Sequence, residues 1–318
     1  MKSTNYLQKT PVVCLLAVFC CFLWGSAFPS IKLGYEWFGI QSHDSFSQIM
    51  FAGCRFMLAG VLTILLGSVI RHQWLIPKKS SLRYLISLSL FQTILQYLFF
   101  YIGLANTTGV KASIIEGANV FVAIIIASIF AHQEKLEFNK VLGCLIGFVG
   151  VVLVNLNGSH LELSFHLQGE GFILISTVAY AISSVLIKSY SKRENAVILS
   201  GYQFILGGFV MFLCGFFGGG KFAKVSSHGI LMLIYLALVS AVAYTIWAIL
   251  LTYNSVSKVT VFGFTNPVFG VLLSMLLLKE NNQSLGLKGI IALFLVCFGI
   301  YIVNMSKESE NIDNELGQ

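Results

Sequence analysis

The sequence predicts an all-α integral membrane protein with ten transmembrane helices arranged as two inverted five-helix repeats. Its composition supports this class, because 57% of the 318 residues are hydrophobic and only 10% are charged, with a mean hydropathy of +0.84. Soluble domains carry about 25% charged residues. The chain also consists of two similar halves, each with about five apolar runs. An odd number of spans in each half means that the second half crosses the bilayer in the opposite sense.

The similarity of the two halves is visible when the second half is shifted back by 147 residues. Four stretches then match in the same order, the first of them after one further residue of shift. They are Gly53-Cys54-Arg55-Phe56 with Gly201-Tyr202-Gln203-Phe204, Tyr97 with Tyr244, Lys111-Ala112-Ser113 with Lys258-Val259-Thr260, and Asn119 with Asn266. These matches predict an internal repeat.

Each half contains five apolar runs of the length that a helix needs to cross the hydrocarbon core, which is about 20 residues. A helix also satisfies its own backbone hydrogen bonds in lipid. The predicted spans lie near residues 12–32, 47–70, 84–105, 111–131, 139–156, 170–188, 197–217, 229–251, 258–278 and 287–305. We therefore expect one repeat over residues 12–156 and a second over 168–305, followed by a disordered cytoplasmic tail at 306–318. The first run could also be read as a cleaved signal peptide, but its removal would destroy the five-plus-five symmetry.

The basic residues indicate how the spans are oriented. Most Lys and Arg residues fall in segments on the same side as the N-terminus, and the opposite side holds only Lys111, Lys221, Lys224, Lys279 and Lys288. Cytoplasmic loops carry the excess of positive charge, so both termini are predicted to be cytoplasmic in a multi-pass protein of the cell membrane. The net charge of +7 is scattered among short loops. This pattern predicts a lipid bilayer as the partner and no nucleic acid.

Several short motifs resemble those of the drug/metabolite transporter superfamily, specifically its ten-span bacterial exporters with two EamA-type repeats. They are Leu23-Trp24-Gly25-Ser26-Ala27-Phe28 leading to Lys32, Arg55-Phe56-Met57-Leu58-Ala59-Gly60, Thr265-Asn266-Pro267-Val268, and the acids Glu134 and Glu280 that close the fourth helix of each repeat. The resemblance covers residues 12–305. It implies export or exchange of small metabolites or amino acids by alternating access, from a cavity lined by spans 1, 3, 4, 6, 8 and 9. The fourth span departs from the pattern, since Val120 stands where the ninth has Pro267, which leaves the symmetry of these two spans open.

Arg55 and Glu116 are the ionisable groups predicted to lie deep inside spans. Such a group costs about 2.5–3.5 kcal/mol to insert into a membrane. At 1.5 Å per residue, they lie about 10 Å and about 8 Å from the outer end of their spans, so they could pair. Glu116 could instead carry a proton or contact a cationic group of the substrate. Arg55 matches a feature of the whole family, which favours a structural or coupling role.

Aromatic and amide side chains form the second candidate set. Trp24 and Tyr180 occupy equivalent mid-span positions, as do Tyr97 and Tyr244, and Phe100 and Trp247. Interfacial belts do not explain aromatic residues at mid-span, so they either line a partly apolar site or pack helices together. Asn119 lies on the same helical face as Glu116, and its mate Asn266 precedes Pro267, which frees a backbone carbonyl near Gly263. The predicted substrate-binding residues are therefore Trp24, Tyr97, Glu116, Asn119, Tyr180, Tyr244, Trp247 and Asn266, with Arg55 and Pro267 in structural or coupling roles.

The leading functional hypothesis is a secondary transporter of a small molecule, coupled to protons or to a counter-substrate. The charged and aromatic residues fit a zwitterion such as an amino acid, and also a cationic drug or a nucleoside-like metabolite. An intramembrane enzyme is disfavoured because the six histidines fall in loops or span ends, and a sensor or scaffold because no soluble output domain is present. The seven cysteines lack metal-site spacing, so no metal or cofactor is expected. A GxxxG pair at Gly143 and Gly147 predicts close helix contact within a monomer or in a weak homodimer.

Overall fold

The computed structural model describes residues 6–41, 43–107, 109–155, 165–278 and 287–305, and these residues form helices and connecting turns without a β-strand. We number the α-helices in chain order. They are α1 Thr10–Phe38, α2 Ser45–Arg71, α3 Leu82–Ser89, α4 Gln96–Ala105, α5 Gly109–Gly117, α6 Asn119–Ile125, α7 Phe138–Asn155, α8 Phe172–Tyr190, α9 Ala196–Phe217, α10 Ser227–Tyr253, α11 Val256–Thr260, α12 Thr265–Leu278 and α13 Leu287–Asn304. The π-helical segment Leu90–Leu95 joins α3 to α4, and the π-helical segment Leu167–Gly171 precedes α8.

Six helical segments within the described residues are long and apolar enough to cross a membrane. They are Thr10–Phe38, Ser45–Arg71, Lys79–Leu104, Leu167–Tyr190, Ala196–Phe217 and Ser227–Tyr253, and shorter apolar helices occupy Ile114–Phe130, Phe138–Leu153 and Ile290–Asn304. The prediction of an all-helical, multi-pass membrane protein is therefore confirmed. The count of ten spans and their inverted arrangement remain predictions. The tail at 306–318 and Glu280 lie outside the described residues.

The first helix is longer than predicted. The predicted span ended at Lys32, whereas α1 continues to Phe38 and ends at Gly39, which has a left-handed φ of 66°. A single lysine near the interface does not stop a helix, because its side chain can reach the aqueous layer. A glycine in the left-handed conformation does stop it. The extension places Tyr35 on the same helix as Trp24, so one helix contributes both residues to the centre of the molecule.

Two predicted spans are interrupted in the structure. The fourth span is divided between α5 and α6 at Ala118, and in the ninth a 3₁₀ turn, Val261–Phe264, separates α11 from α12. These interruptions stand at equivalent places in the two halves, and α6 contacts α11 and the 3₁₀ turn. Pro267 accounts for the second, because it cannot donate to the carbonyl of Gly263. In the first half Gly117, a poor helix former, precedes the break, so both spans are interrupted although only one contains a proline.

The two halves pack through equivalent helices. α2 packs on α9 and α7 on α13, while α1 packs on α10 and α12 just as α8 packs on α4 and α6. Glycines allow the α2 and α9 backbones to approach closely. A Cβ on Gly60 would lie 2.5 Å from the Gly201 carbonyl oxygen, and a Cβ on Gly208 would lie 2.6 Å from the Met57 nitrogen. Gly53 faces Gly208 while Gly60 faces Gly201, so the two helices run antiparallel.

The predicted GxxxG contact lies within the chain. A Cβ on Gly299 of α13 would lie 2.5 Å from the Gly143 carbonyl oxygen and 2.6 Å from the Gly147 nitrogen. Small residues at such a crossing let two membrane helices come into van der Waals contact. The glycine face of α7 is therefore occupied by α13 of the same chain.

A buried ion pair closes one end of the bundle. Glu134 and Lys140 lie 3.2 Å apart, and each side chain is 2% exposed. The Glu134 carboxylate also accepts hydrogen bonds from the Ser257 backbone N–H at 3.0 Å and from the Ser257 hydroxyl at 2.5 Å. Nearby, the Lys188 ammonium group donates to the Asn254 carbonyl oxygen. Glu134 thus anchors the turn before α7 to the start of α11.

Candidate functional site

Two pairs of equivalent residues meet at the centre of the molecule. The Tyr97 and Tyr244 hydroxyl groups are hydrogen bonded at 2.6 Å. The Phe56 and Phe204 rings stack with centroids 5.2 Å apart and an interplanar angle of 12°. Each pair joins one residue of the first half to its counterpart in the second. Residues that are equivalent in the two halves therefore meet here. A binding site shared by both halves would lie at such a place.

Further rings join these residues into one central aromatic cluster, which we define as Trp24, Phe56, Tyr97, Phe204, Tyr244 and Trp247. The Trp24 ring lies 5.1 Å from the Tyr244 ring and 4.9 Å from the Trp247 ring. Phe56 contacts Tyr97 at 4.5 Å, and Phe204 contacts Tyr244 at 4.9 Å. Edge-to-face and tilted contacts at these separations are favourable for aromatic rings. Four of the five aromatic residues predicted for the site therefore share one cluster, although a role in binding stays a prediction.

Two polar atoms of the cluster, and three on other predicted cavity spans, have no hydrogen-bond partner among the residues that the structure describes. They are the indole nitrogens of Trp24 and Trp247, the side-chain oxygens of Gln92 and Gln96, and the Asn266 Oδ1 atom. A buried polar atom left unpaired costs about 1–3 kcal/mol. Both indole nitrogens of the cluster are therefore free to bind a polar group.

Arg55 lies beside the cluster and is only 3% exposed. Its Nε atom donates to the Ser240 hydroxyl at 3.1 Å and to the Leu236 carbonyl oxygen at 3.3 Å, which ties α2 to α10. Its guanidinium carbon lies 5.2 Å from the Phe56 ring centroid. No carboxylate pairs with it in the described part of the chain. Arg55 is therefore buried without an acidic partner among the described residues.

The neighbours of Arg55 are phenols. The charge of Arg55 acts on four tyrosine hydroxyls, those of Tyr35, Tyr97, Tyr101 and Tyr244. Two of them, Tyr35 and Tyr101, were not predicted from the sequence. Tyr101 follows Tyr97 by four residues and so lies on the same face of α4, a signal that was present in the sequence. Tyr35 was hidden because the first span was predicted to end before it.

Arg55 and Glu116, which the sequence suggested could pair, are not paired in the structure. Glu116 is half-buried near the end of α5, and its carboxylate forms no hydrogen bond or ion pair with any described residue. Depth in the membrane predicted the pair, but depth does not determine which helices are neighbours. α2 packs against α9 and α10, whereas α5 packs against α7 and α8. The two charges therefore belong to different parts of the site.

Tyr180 of α8 is the fifth aromatic residue predicted for the site. It interacts electrostatically with both Tyr97 and Glu116, and it packs against the same hydrophobic core as Tyr97 and Trp24. Arg55 in turn acts on Tyr97. Tyr97 is thus close enough to Arg55, and Tyr180 close enough to Glu116, for each pair to interact electrostatically.

The two predicted asparagines stand at the helix interruptions. Asn119 is the first residue of α6 and Asn266 the second of α12, and both are half-buried. Neither amide has a hydrogen-bonding partner among the described residues, and Pro267 follows directly. The ends of interrupted helices carry partial charges and free backbone groups that can bind polar solutes. For metals, the described residues contain no group of three or more His, Cys, Asp and Glu side chains.

Comparison with known proteins identifies relatives of this chain. The model of the EamA-like transporter family matches it twice, over residues 12–156 and 167–305. An uncharacterized transporter of Archaeoglobus fulgidus is 29% identical, over 93% of this chain and 99% of that protein. The uncharacterized inner membrane transporter YedA of Escherichia coli K12 is 27% identical, over 92% of this chain and 90% of YedA. YvbV of Bacillus subtilis, also an uncharacterized transporter, is 25% identical over 96% of this chain and 95% of its own length.

A solved crystal structure of a protein superposes on this chain with a TM-score of 0.74, at 16% identity, over 97% of this chain and 99% of the other. At this identity the likeness shows a shared fold. The two family matches cover most of the chain. The chain therefore belongs to the EamA-like transporter family, within the drug/metabolite transporter superfamily, and is a multi-pass membrane transporter.

Proposed function

We propose that the protein is a secondary transporter that exports or exchanges a small zwitterion such as an amino acid. The observation that carries this proposal is the state of its two deep charges. Arg55 is buried with no carboxylate beside it, and Glu116 has no hydrogen bond or ion pair among the described residues. A buried charge is costly unless it is paired. A ligand with a carboxylate and an ammonium group supplies both missing partners.

The chemistry of each end of the site fits one group of such a ligand. A guanidinium group binds a carboxylate through strong charge-assisted hydrogen bonds. The neighbouring phenols of Tyr97 and Tyr101 can donate to the same anion. Glu116 faces the ammonium group, with Asn119 beside it. The central aromatic cluster offers the apolar surface for the side chain of the substrate.

Alternating access is supported by the way in which the halves meet. Equivalent residues touch at Tyr97–Tyr244 and Phe56–Phe204, and α2 runs antiparallel to α9. This is the arrangement expected of two inverted repeats with a site at the pseudo-two-fold axis. We take residues 12–156 and 168–305 as the two repeats, with both termini cytoplasmic because of the bias in basic residues. Rocking of one repeat against the other would open the site to each side in turn.

Glu116 is the proposed coupling residue. Because no basic side chain among the described residues neutralises it, it can exchange a proton or an ammonium group of the substrate. Protonation would remove the ionic partner of the substrate's ammonium group and so favour release. A transporter of this kind would run as a proton-coupled or a substrate-exchange system, and the pH dependence of transport distinguishes the two.

The purified protein in proteoliposomes tests the substrate class. Vesicles preloaded with each of the common amino acids are assayed for exchange with the labelled compound, and N-acetyl and methyl-ester derivatives of an exchanged amino acid are added as competitors. Each derivative lacks one charge, so each should compete at least about tenfold more weakly. Transport of a cationic dye such as ethidium without exchange of any amino acid would contradict the proposal, as would full competition by both derivatives.

A further inference from the structure

Two arginines converge on one tyrosine at an end of the bundle, away from the central aromatic cluster. Arg83 of α3 and Arg193, which follows α8, both donate to the Tyr84 hydroxyl oxygen, at 2.8 Å and 2.9 Å. Both arginine side chains are exposed, whereas Tyr84 is 9% exposed. The two guanidinium groups therefore lie side by side although they carry like charges.

No acid neutralises this pair within the described residues. The adjacent acid, Glu194, interacts with Lys78 and accepts hydrogen bonds from the Ser81 hydroxyl at 2.5 Å and from the Asn195 backbone N–H at 2.9 Å, and it forms no ion pair with Arg83 or Arg193. Three further cations, Lys78, Lys79 and Lys192, are exposed in the same two segments of chain. Like charges repel unless an anion stands between them. Glu194 is one acid among five cations, so the described residues leave an excess of positive charge at this site.

Tyr84 completes a set of hydrogen-bond donors. Its oxygen accepts from both arginines, and its own O–H donates to no acceptor among the described residues. The ring is held in place by Tyr190, whose centroid lies 4.6 Å away and whose hydroxyl is hydrogen bonded to Ser87 at 3.0 Å. Two guanidinium groups and one phenol, held on a fixed base, form the kind of donor cluster that binds phosphate oxygens.

An apolar strip lies beside these donors on the same helix. Leu82, Ile86 and Leu90 are 53%, 56% and 40% exposed and recur every four residues, so they form one outward face of the helix. In a membrane protein such a face contacts acyl chains. Basic pockets at the ends of transmembrane helices bind anionic lipid headgroups. The strip is the reason to expect a lipid here rather than a soluble phosphate.

We propose that Arg83, Arg193 and Tyr84 bind the phosphate of an anionic phospholipid, whose acyl chain lies along Leu82, Ile86 and Leu90. The lipid would clamp the start of α3 to the end of α8, and so join an element of the first half to an element of the second. This site is separate from the proposed substrate site. The proposal does not depend on which solute is transported.

The test compares lipid binding by the full-length protein in nanodiscs of neutral phosphatidylcholine containing increasing amounts of phosphatidylglycerol. Bound phosphatidylglycerol is counted by native mass spectrometry, and the thermal unfolding midpoint is measured in parallel. Arg83→Gln and Arg193→Gln should each weaken phosphatidylglycerol binding at least about tenfold, since each removes charge-assisted hydrogen bonds. Arg71→Gln is the matched control, because Arg71 is an exposed cation outside this cluster and its replacement removes the same charge.

Two further variants keep the test decisive if an arginine variant folds poorly. Tyr84→Phe retains the ring contact with Tyr190 and should weaken phosphatidylglycerol binding by a smaller factor than Arg83→Gln or Arg193→Gln. Arg193→Lys keeps the charge but loses the planar fork of donors, so it should also bind phosphatidylglycerol more weakly than the unaltered protein. Binding by all of these variants equal to that of Arg71→Gln would overturn the proposal. Glycerol phosphate added to phosphatidylcholine nanodiscs should leave the unfolding midpoint unchanged. A rise that Arg193→Gln abolishes would identify a soluble phosphate as the ligand and overturn the lipid assignment.

Discussion

Arg55 in α2 and Gln203 in α9 occupy equivalent places in the two halves and make equivalent hydrogen bonds. Arg55 Nε donates to the Ser240 hydroxyl at 3.1 Å, and the Thr93 hydroxyl donates to Gln203 Oε1 at 2.6 Å. Ser240 and Thr93 are themselves separated by the shift that relates the halves. In each case a polar side chain ties its helix to a hydroxyl group of the other half. A neutral amide is enough for this tie in the second half, so the charge of Arg55 exceeds what the architecture needs.

Glu116, like Arg55, is a charged residue of the first half whose counterpart in the second half is neutral. The position equivalent to Glu116 is Gly263, where a Cβ would meet only Val120 Cγ2, at 3.7 Å. Packing therefore leaves room for a side chain at Gly263, yet the fold does not use one there. Both deep charges belong to the first half and both have neutral counterparts. The two halves share the same helix arrangement. The two charged groups that a zwitterion would bind both come from the first half.

At the end of the bundle, the buried charges of Glu134 and Lys140 have a structural role. Glu134 and Lys140 are paired at 3.2 Å, and Glu134 is further bonded to the Ser257 hydroxyl and backbone N–H. Arg55 lacks any such acid, and Glu116 lacks any such base, among the described residues. The charged side chains at the end of the bundle are thus paired with each other, whereas Arg55 and Glu116 at the centre are not.

The largest expected effect on stability comes from breaking the end pair. Glu134→Ala removes the carboxylate that pairs with buried Lys140 and that caps Ser257, so the free energy of unfolding should fall by about 3–5 kcal/mol. Unfolding of the purified protein in detergent, by heat or by SDS titration, measures the loss. Glu36→Gln is the control, because Glu36 is exposed and its replacement removes the same charge. If the two variants were equally stable, the structural role of the end pair would be wrong.

Arg55→Gln makes the first half resemble the second at this position. Exchange of the substrate should fall by at least about 100-fold, because the loss of a charged partner for a buried carboxylate costs about 2–5 kcal/mol. The protein should remain folded, since Gln203 shows that an amide can satisfy the equivalent hydroxyl. Exchange in proteoliposomes and thermal unfolding are measured on the same preparation.

Ser240→Ala is the matched control for Arg55. It removes the hydroxyl that accepts from Arg55 Nε but leaves the charge in place, so exchange should be much less affected than in Arg55→Gln. If Ser240→Ala abolished exchange as completely as Arg55→Gln, the role of Arg55 would be to hold α2 against α10. Normal exchange by Arg55→Gln would remove the arginine from the site altogether.

Most of the architecture could be predicted from the sequence, because helix position in a membrane follows from the length of apolar runs. The predicted span 197–217 corresponds to α9 at Ala196–Phe217, and 287–305 to α13 at Leu287–Asn304. The interruption at Ala118 was missed because no proline marks it. Gly117 lowers helix stability beside the break, but a single glycine inside an apolar run does not by itself identify an interruption.

The sequence indicated which residues belong to the candidate site, but it did not indicate which of them contact each other. The repeat identified Tyr97 and Tyr244 as equivalent mid-span residues, and the structure adds that their hydroxyl groups are hydrogen bonded. It also held an unused signal, the equivalence of Ser240 and Thr93. The pairing of Arg55 with Glu116 failed because distance along the membrane normal says nothing about which helix faces which.

Glu116→Gln should behave in the opposite way to Glu134→Ala. Because Glu116 has no partner among the described residues to lose, its replacement should leave the unfolding midpoint unchanged or raise it. Exchange should fall about tenfold or more, the cost of replacing a charge-assisted hydrogen bond to the substrate by a neutral one, and its pH dependence should disappear. Intact pH-dependent exchange in a folded Glu116→Gln protein would exclude Glu116 and leave Asn119 and Asn266 as the polar candidates. A clear drop in stability would instead reveal a structural partner.

The smallest expected effect concerns the hydrogen bond between Tyr97 and Tyr244, which are equivalent residues of the two halves. Tyr97→Phe and Tyr244→Phe each remove one member of the same 2.6 Å hydrogen bond, so each should lower the free energy of unfolding by about 1 kcal/mol. Because the two variants delete one shared interaction, the double variant should cost little more than either single one. Unfolding measurements on the three variants give the coupling energy of the pair. Additive losses would show that the hydroxyls act independently, and that the two halves are not joined by this bond at the axis.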